Sequence, residues 1–404
     1  MKADAIAALA DRIAALPRTS AVGIAVSGGS DSSALLIAAQ ATGRRIRALT
    51  VDHGLRSETA SEIRHVGGLC RNLGCDHDIV TLDLEPGPNL QARAREARYA
   101  ALAGAAQAAG IEAVLLGHTA DDVAETLVMR LARGAGIDGL ARMAECRRDR
   151  GIDWHRPALS LTRADLRSAL RSRGIVWIED PSNDDPDFER VAARRAIAAL
   201  GLDSRNLAAS AEALSEARDS LAMHAATLAA AHVQEDRGDL LFDRAALMQL
   251  HAADPDPLPR LLLAGLKWMG GRPYPPRKAE RARLVSNALT GRVCTLAGCL
   301  LTQDDGRLRL AREVAACAPP GPTTSPWDNR WILSGPHSAS LTVGALADDI
   351  VQTPWREARL PRASLLASPA IRDGTRLIAA PLAGLPGEWH AQIRLPFMQA
   401  VIQR

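Results

Sequence analysis

The feature that most restricts this chain lies near its start. The apolar run Gly23-Ile24-Ala25-Val26 passes directly into Ser27-Gly28-Gly29-Ser30-Asp31-Ser32, and a helical pattern follows from about Ser32 to Ala41. A strand, a two-glycine turn and a helix start in immediate succession aim backbone N–H groups at one point, because glycine adopts turn conformations closed to other residues. Hydroxyls from Ser27, Ser30, Ser32 and Ser33 surround that point, and the helix dipole adds attraction for anions. Serine and aspartate are also ordinary helix caps. The complete strand–turn–helix unit nevertheless favours a phosphate cradle. It lacks the Gly-Lys-Ser/Thr ending of a P-loop nucleotidase.

The cradle sits in a longer alternation. Ala21–Val26, Ile46–Val51, Asp78–Leu82 and Ala113–Leu116 read as strands, separated by helical patterns at Glu58–Leu73 and Asn89–Ala109 and followed by Asp121–Arg133. Strands alternating with helices predict an α/β fold with a doubly wound parallel sheet, whose ligands sit beyond the carboxyl ends of the strands. An amphipathic helix carrying Ile6, Leu9, Ile13 and Leu16 precedes them and does not read as a signal peptide. The alternation stops after Gly201. Asn206–Val233 and Leu258–Leu289 are helical in pattern, the latter broken at Gly270–Pro276, and Cys294–Leu310 reads as a hairpin turning at Asp304-Asp305-Gly306. Residues 318–326 are rich in Pro, Gly, Thr and Ser, which marks a linker. The expected organisation is therefore a catalytic domain over 1–200, a mainly helical domain over 201–317 and a small β-rich module over 327–404.

Composition excludes some classes. No apolar run in the 404 residues approaches the length of about 18 that a membrane helix needs, so a cytoplasmic protein is expected. Six scattered cysteines without a C-x-x-C pair predict free thiols and no zinc–thiolate site. Of 49 basic residues 46 are arginine, which suits phosphate recognition, although a net charge of +3 does not by itself require a nucleic-acid partner.

Further motifs follow the strands. Val51-Asp52-His53-Gly54-Leu55-Arg56 ends the second, and Ala94-Arg95-Glu96-Ala97-Arg98-Tyr99 lies on the long helix. Gly117-His118-Thr119-Ala120-Asp121-Asp122-Val123-Ala124-Glu125-Thr126 ends the fourth, and Trp177-Ile178-Glu179-Asp180-Pro181-Ser182-Asn183 comes later. The hexapeptide resembles the signature of the PP-loop ATP pyrophosphatases, which split ATP between the α- and β-phosphates. The ordered set as a whole is similar to the tRNA(Ile)-lysidine synthase family, across the first 195 or so residues and more loosely to Leu310.

That resemblance implies a reaction. ATP adenylates the C2 oxygen of the first anticodon cytidine of a CAU-bearing isoleucine tRNA, and free L-lysine then displaces AMP. A cytosine carbonyl is a poor electrophile, so its oxygen must become a phosphate ester first. Mg²⁺ must offset polyphosphate charge, which calls for carboxylates near the cradle, and Asp31 and Asp122 are the candidate ligands. Lysine must be held and deprotonated, which calls for further acids or a histidine. His118, Asp122 and Glu125, separated by four and three residues, would share one face if a helix opens near His118. Acids in a first turn are also common caps. The resemblance places all three at the ATP and lysine site, with Asp31 and Arg190 as further catalytic candidates. It assigns Ser27, Gly28, Gly29, Ser30, Asp31, Ser32, Asp52, His53 and Arg98 to nucleotide binding, Arg95 and Arg98 also facing tRNA phosphate. At Arg190 the chain departs from the family's Arg-Asn pattern, because Val191 follows. The helical middle and the terminal module are implied to grip the tRNA.

Two tempting signals weigh less. Gly134-Ala135-Gly136-Ile137-Asp138-Gly139 matches G-x-G-x-x-G but follows a helix, so a post-helix loop is expected. The acids Glu179, Asp180, Asp184, Asp185, Asp187 and Glu189 are interrupted by Pro181 and Pro186 and read as a solvated loop. Another PP-loop tRNA modification, such as thiolation, is the rival activity. It needs a positioned reactive cysteine or an iron–sulfur cluster, and the cysteine spacing offers neither. A regulatory ATP binder would not need His118, Asp122 and Glu125 beside the cradle. Oligomeric state stays open, a homodimer included.

Overall fold

The computed structural model describes residues 4–17, 21–52, 59–82, 87, 90–179, 189–271 and 276–402. The chain divides into two compact units, residues 1–218 and 219–404.

The first unit runs α1 (Ala5–Ala14), β1 (Val22–Ala25), α2 (Ser30–Ala41), β2 (Ile46–Asp52), α3 (Thr59–Leu73), β3 (Asp76–Thr81), α4 (Leu90–Ala108), β4 (Ala113–Leu115), α5 (Ala120–Ala132) and α6 (Ile137–Leu140). It continues with β5 (Cys146–Asp149), β6 (Ile152–His155), α7 (Arg163–Arg171), α8 (Glu189–Ala199) and the start of α9 (Ser204–His232). One six-stranded sheet has the order β3-β2-β1-β4-β6-β5. It is parallel except at its edge, where β5 pairs antiparallel with β6. The doubly wound sheet is present, with an edge hairpin that sequence patterning did not signal. Strand β5 is Cys146-Arg147-Arg148-Asp149, charged and largely exposed, the kind of strand that blunts an edge against further pairing.

The core lies on both faces of the sheet. On one, Leu9 and Ile13 of α1, Leu35 and Leu36 of α2, Val66 of α3 and Leu170 of α7 pack against Ile24 and Ile46. On the other, Leu102 and Ala106 of α4 meet Val114, Leu116 and Trp154. Every residue of β1 is buried, as expected for a strand covered on both sides. Burying Leu9 completely contributes about 1.5–3 kcal/mol. Because β1, β4 and β6 are parallel, their carboxyl ends open on one edge, and α2, α5 and α7 all begin there.

In the second unit β7 (Val233–Asp236), β8 (Asp239–Asp243), α10 (Arg244–Ala253), α11 (Pro257–Gly270), α12 (Lys278–Thr290), β9 (Cys294–Leu296), β10 (Cys299–Asp304) and β11 (Arg307–Arg312) come first. These strands form an antiparallel sheet in the order β7-β8-β11-β10-β9. The β10–β11 turn passes through Asp305 and Gly306 at φ 44° and 75°, a left-handed pair of the kind that hairpin turns need. Then come β12 (Gly321–Pro322), β13 (Trp331–Ser334), β14 (Leu341–Ala345), α13 (Arg362–Leu366), β15 (Pro369–Asp373), β16 (Arg376–Ala379), β17 (His390–Ile393) and α14 (Phe397–Ile402), in sheets β12-β14-β15-β16 and β13-β17. Trp327, Trp331 and Trp389 are buried together with Leu333 and Val343, so they serve as core and not as exposed stacking surfaces. Phe397 packs among Leu261, Leu266 and Leu310, which joins the end of the chain to the helical segment.

Candidate active site

The cradle forms where β1 gives way to α2. Gly28 has φ +85°, a left-handed conformation, and a Cβ there would lie 2.7 Å from Ile178 Cδ1. The Ile178 N–H donates to the Gly28 carbonyl at 2.9 Å, so residue 178 also ties down the turn. Ser32 holds the loop from inside: its hydroxyl donates to the Gly29 carbonyl (3.1 Å) and accepts the Ser27 N–H (3.2 Å). Gly29 is the N-cap of α2 and has no side chain to satisfy the first-turn N–H groups, which leaves them for an anion. Gly117, at the end of β4, lies so close that a Cβ would meet the Asp31 carbonyl carbon and Ser32 nitrogen at 3.2 Å. A larger residue would push the β4–α5 turn away from the cradle.

Beside the cradle lies a cluster of three acids and three arginines. Helix α5 begins at Ala120, after Thr119, so His118 precedes it and does not sit on its first turn. Asp122 Oδ2 accepts hydrogen bonds from the Thr119 N–H (2.8 Å) and hydroxyl (2.9 Å). Its other oxygen is 3.7 Å from Arg190 Nη1 and 3.9 Å from Arg163 Nη2. Asp122 thus both caps the helix and faces the site. Glu125, one turn on, accepts from Arg194 Nε at 2.9 Å and lies 3.8 Å from Arg163 Nη1. Asp31 Oδ2 accepts from Arg163 Nε at 3.0 Å. Arg167, one turn along α7, donates to the Ser30 hydroxyl at 3.2 Å.

Burial sets the protonation states. It raises the Asp31 and Glu125 carboxyls above the ordinary carboxylate range, against the pull of Arg163 and Arg194 respectively. Burial opposes ionisation of Asp122 too, but His118, the Thr119 N–H and Arg163 hold it below that range. Burial pushes His118 down to about 4, so it is neutral near pH 7, and among the described residues its buried Nδ1 has no hydrogen-bond partner.

Ser27, Gly28, Gly29, Ser30, Asp31, Ser32, His118, Asp122, Glu125 and Arg190 are therefore gathered at one edge of the sheet, as their sequence positions suggested. Val191 is buried, so the position after Arg190 packs into the core. Asp52 ends β2, where its carbonyl accepts from the Leu82 N–H at 2.7 Å. His53 lies outside the described residues, as do Asp180, Asp184, Asp185 and Asp187. Arg98 is exposed on α4, and Arg95 lies 5.2 Å over the Tyr99 ring. Gly134–Gly139 follows α5 and runs into the short α6, where Arg130 Nη1 donates to the Gly139 carbonyl. The residue that sequence reasoning missed is Arg163, at the centre of the cluster. Its one local signal is the capping box Thr162-x-x-Asp165, which opens a helix directly after β6.

Residues 3–200 match the PP-loop domain family. Over 384 residues the chain is 41% identical to a tRNA(Ile)-lysidine synthase of Ruegeria pomeroyi, covering 92% of this chain and 91% of that one. The chain belongs to the tRNA(Ile)-lysidine synthase family. A second tRNA(Ile)-lysidine synthase, of Hyphomonas neptunium, is 37% identical over 86% of this chain and 96% of its own length. Membership implies that the chain uses ATP. Among solved structures, a U34-tRNA thiolase from Methanococcus maripaludis is 16% identical with a TM-score of 0.44, covering 52% of this chain and 79% of that one. A likeness of that degree says nothing about activity.

Proposed function

We propose that this enzyme joins lysine to C2 of the cytidine at the first anticodon position of a CAU-bearing isoleucine tRNA, through an adenylated tRNA, releasing AMP and pyrophosphate. The observation that carries this reading is the meeting of the phosphate cradle with Asp31, Asp122, Glu125 and neutral His118 at one sheet edge. The cradle N–H groups and Ser30 hold the β- and γ-phosphates, which leaves the α-phosphate open to the cytidine oxygen. Positive charge from Arg163, Arg167 and Arg190 favours departure of pyrophosphate. The second step needs an uncharged lysine amine. Asp122 and Glu125 attract the ammonium, and these acids together with His118 are the groups within the cluster to take its proton.

Asp31 and Asp122 fit a divalent cation, because both are carboxylates facing one space beside the cradle, the hard oxygen donors that Mg²⁺ prefers. When bound, Mg²⁺ would offset charge on the polyphosphate. No group of three or more His, Cys, Asp or Glu suited to a metal occurs among the described residues, so the phosphates would complete the coordination.

Residues 201–317 and 327–404 are assigned to gripping the tRNA, and the enzyme to the cytoplasm. Among the described residues no helix is long and apolar enough to cross a membrane. Thiolation fares worse at the level of the thiols: burial pushes Cys70 up to about 12 and Cys317 to about 11, far from the thiolate that sulfur transfer uses. The test supplies radiolabelled lysine, ATP, Mg²⁺ and unmodified tRNA(Ile) with the CAU anticodon. Label in tRNA that requires ATP supports the reading. Pyrophosphate release without label would keep the adenylation step and reject lysine as nucleophile.

A further inference from the structure

Arg163 is the first residue of α7, and its backbone is held from two sides. Thr162 caps the helix with Asp165 returning the bond, and Asp121 Oδ2 accepts the Arg163 N–H at 2.7 Å. From this anchored position the guanidinium reaches the middle of the acid cluster. Each of its nitrogens faces a different carboxylate: Nε faces Asp31 at 3.0 Å, Nη2 faces Asp122 at 3.9 Å and Nη1 faces Glu125 at 3.8 Å. Only the first of these is a hydrogen bond in length. An arginine kept for stability alone closes on its partner in a fork, as Arg312 does on Asp328 at 2.9 and 3.0 Å in the second unit. Arg163 sits among its acids in the manner of a shared central cation.

Charge makes the arrangement informative. Asp31, Asp122 and Glu125 are matched by Arg163, Arg190 and Arg194, so the cluster is balanced before any ligand enters. A divalent cation attracted to Asp31 and Asp122 competes for the same oxygens that Arg163 faces. We propose that Arg163 is a positioning residue that holds the place of the divalent cation in the nucleotide-free enzyme and yields Asp31 and Asp122 to it when ATP enters. The inference rests on the reading that these two aspartates take the metal. Its consequence is that the cation binds weakly until the nucleotide supplies phosphates to receive the displaced guanidinium.

The experiment titrates the full chain with Mn²⁺ in the absence of nucleotide, followed by electron paramagnetic resonance. Arg163→Ala is expected to bind Mn²⁺ at least about tenfold more tightly than wild type, a conservative size for one competing charge removed from a partly buried site. Arg163→Lys keeps a tethered cation and is expected to stay near wild type. If the alanine variant does not fold, Arg163→Gln carries the same comparison. Adding Asp122→Asn to the alanine variant is expected to abolish the gain. Nucleotide-free affinity in Arg163→Ala equal to or weaker than wild type would overturn the inference. Mn²⁺ binding in the presence of ATP that is indifferent to both Asp31→Asn and Asp122→Asn would instead overturn the metal reading beneath it.

Discussion

Both units contain buried arginine–carboxylate clusters, and they are built differently. In the second unit Arg309 is 5% exposed and donates to Asp239 at 2.9 Å and Asp236 at 3.0 Å, while the Ser364 hydroxyl donates to Asp239 at 2.5 Å. Arg330 lies 5.0 Å over the Trp268 ring and donates to the Gly238 carbonyl. In the first unit Arg163 is 22% exposed and Arg190 47%, and several contacts run to 3.7–3.9 Å. Pairs closed at hydrogen-bond length hold a fold together. Looser clusters, with charged groups standing beyond hydrogen-bond reach, are kept for a ligand.

The largest effect on stability is expected at Asp239. Its replacement by alanine takes the carboxylate from the buried Arg309 Nη1, and the expected loss is about 3 kcal/mol of stability, measured by urea unfolding. A loss under about 0.5 kcal/mol, the size of a surface substitution, would show that the second cluster is not a scaffold. Gly28 and Gly43 sharpen the point. Both have positive φ, but a Cβ at Gly28 meets Ile178 whereas no described residue lies within 4 Å of one at Gly43. Alanine at either position is expected to lose about 1–2 kcal/mol of stability through backbone strain. ATP affinity, measured by calorimetry, is expected to fall for Gly28→Ala alone. At Arg98 the expected change is smaller: Arg98→Ala reduces the salt slope of tRNA binding by about one, read by filter binding across salt concentrations. An unchanged slope would remove Arg98 from the phosphate-contacting surface.

The smallest effect is a pH dependence with opposite signs within one cluster. The folded carboxyl of Glu125 is raised by burial, so its contribution to stability is present at low pH and lost as pH rises through the folded value. Glu125→Gln is therefore expected to melt higher than wild type at pH 7, the gap closing on acidification. Asp122 is lowered, so its contribution is present at neutral pH and lost as pH falls through its folded value. Asp122→Asn is expected to melt lower at pH 7, and that gap also closes in acid. Melting curves from pH 4 to pH 8 check both signs.

Much of this was legible in the sequence where local pattern and topology agree. The cradle, β1 to β4 and the helices between them follow from period and glycine placement, and His118, Asp122 and Glu125 from their position after a strand. Arg163 was not legible. It meets Asp31 across 132 residues of sequence, and in a chain with 46 arginines nothing local distinguishes it. Strand β5 was hidden by its charges, because an exposed edge lacks the apolar alternation that marks a strand. The buried Asp239–Arg309 pair was invisible for the same reason as Arg163: long-range pairing leaves no periodic trace.

The most direct test sets Asp122→Asn beside Asp239→Ala and measures lysine incorporated into tRNA(Ile) per folded molecule, below the melting temperature of both. Asp122→Asn is expected to lose activity at least about a thousandfold, equivalent to about 4 kcal/mol of transition-state stabilisation, and to melt only slightly below wild type at pH 7. Asp239→Ala is expected to melt well below wild type while its folded molecules keep activity within about threefold of wild type, less than 1 kcal/mol. Near-normal incorporation by Asp122→Asn, or its loss from folded Asp239→Ala, would contradict the division between a chemical cluster and a structural one.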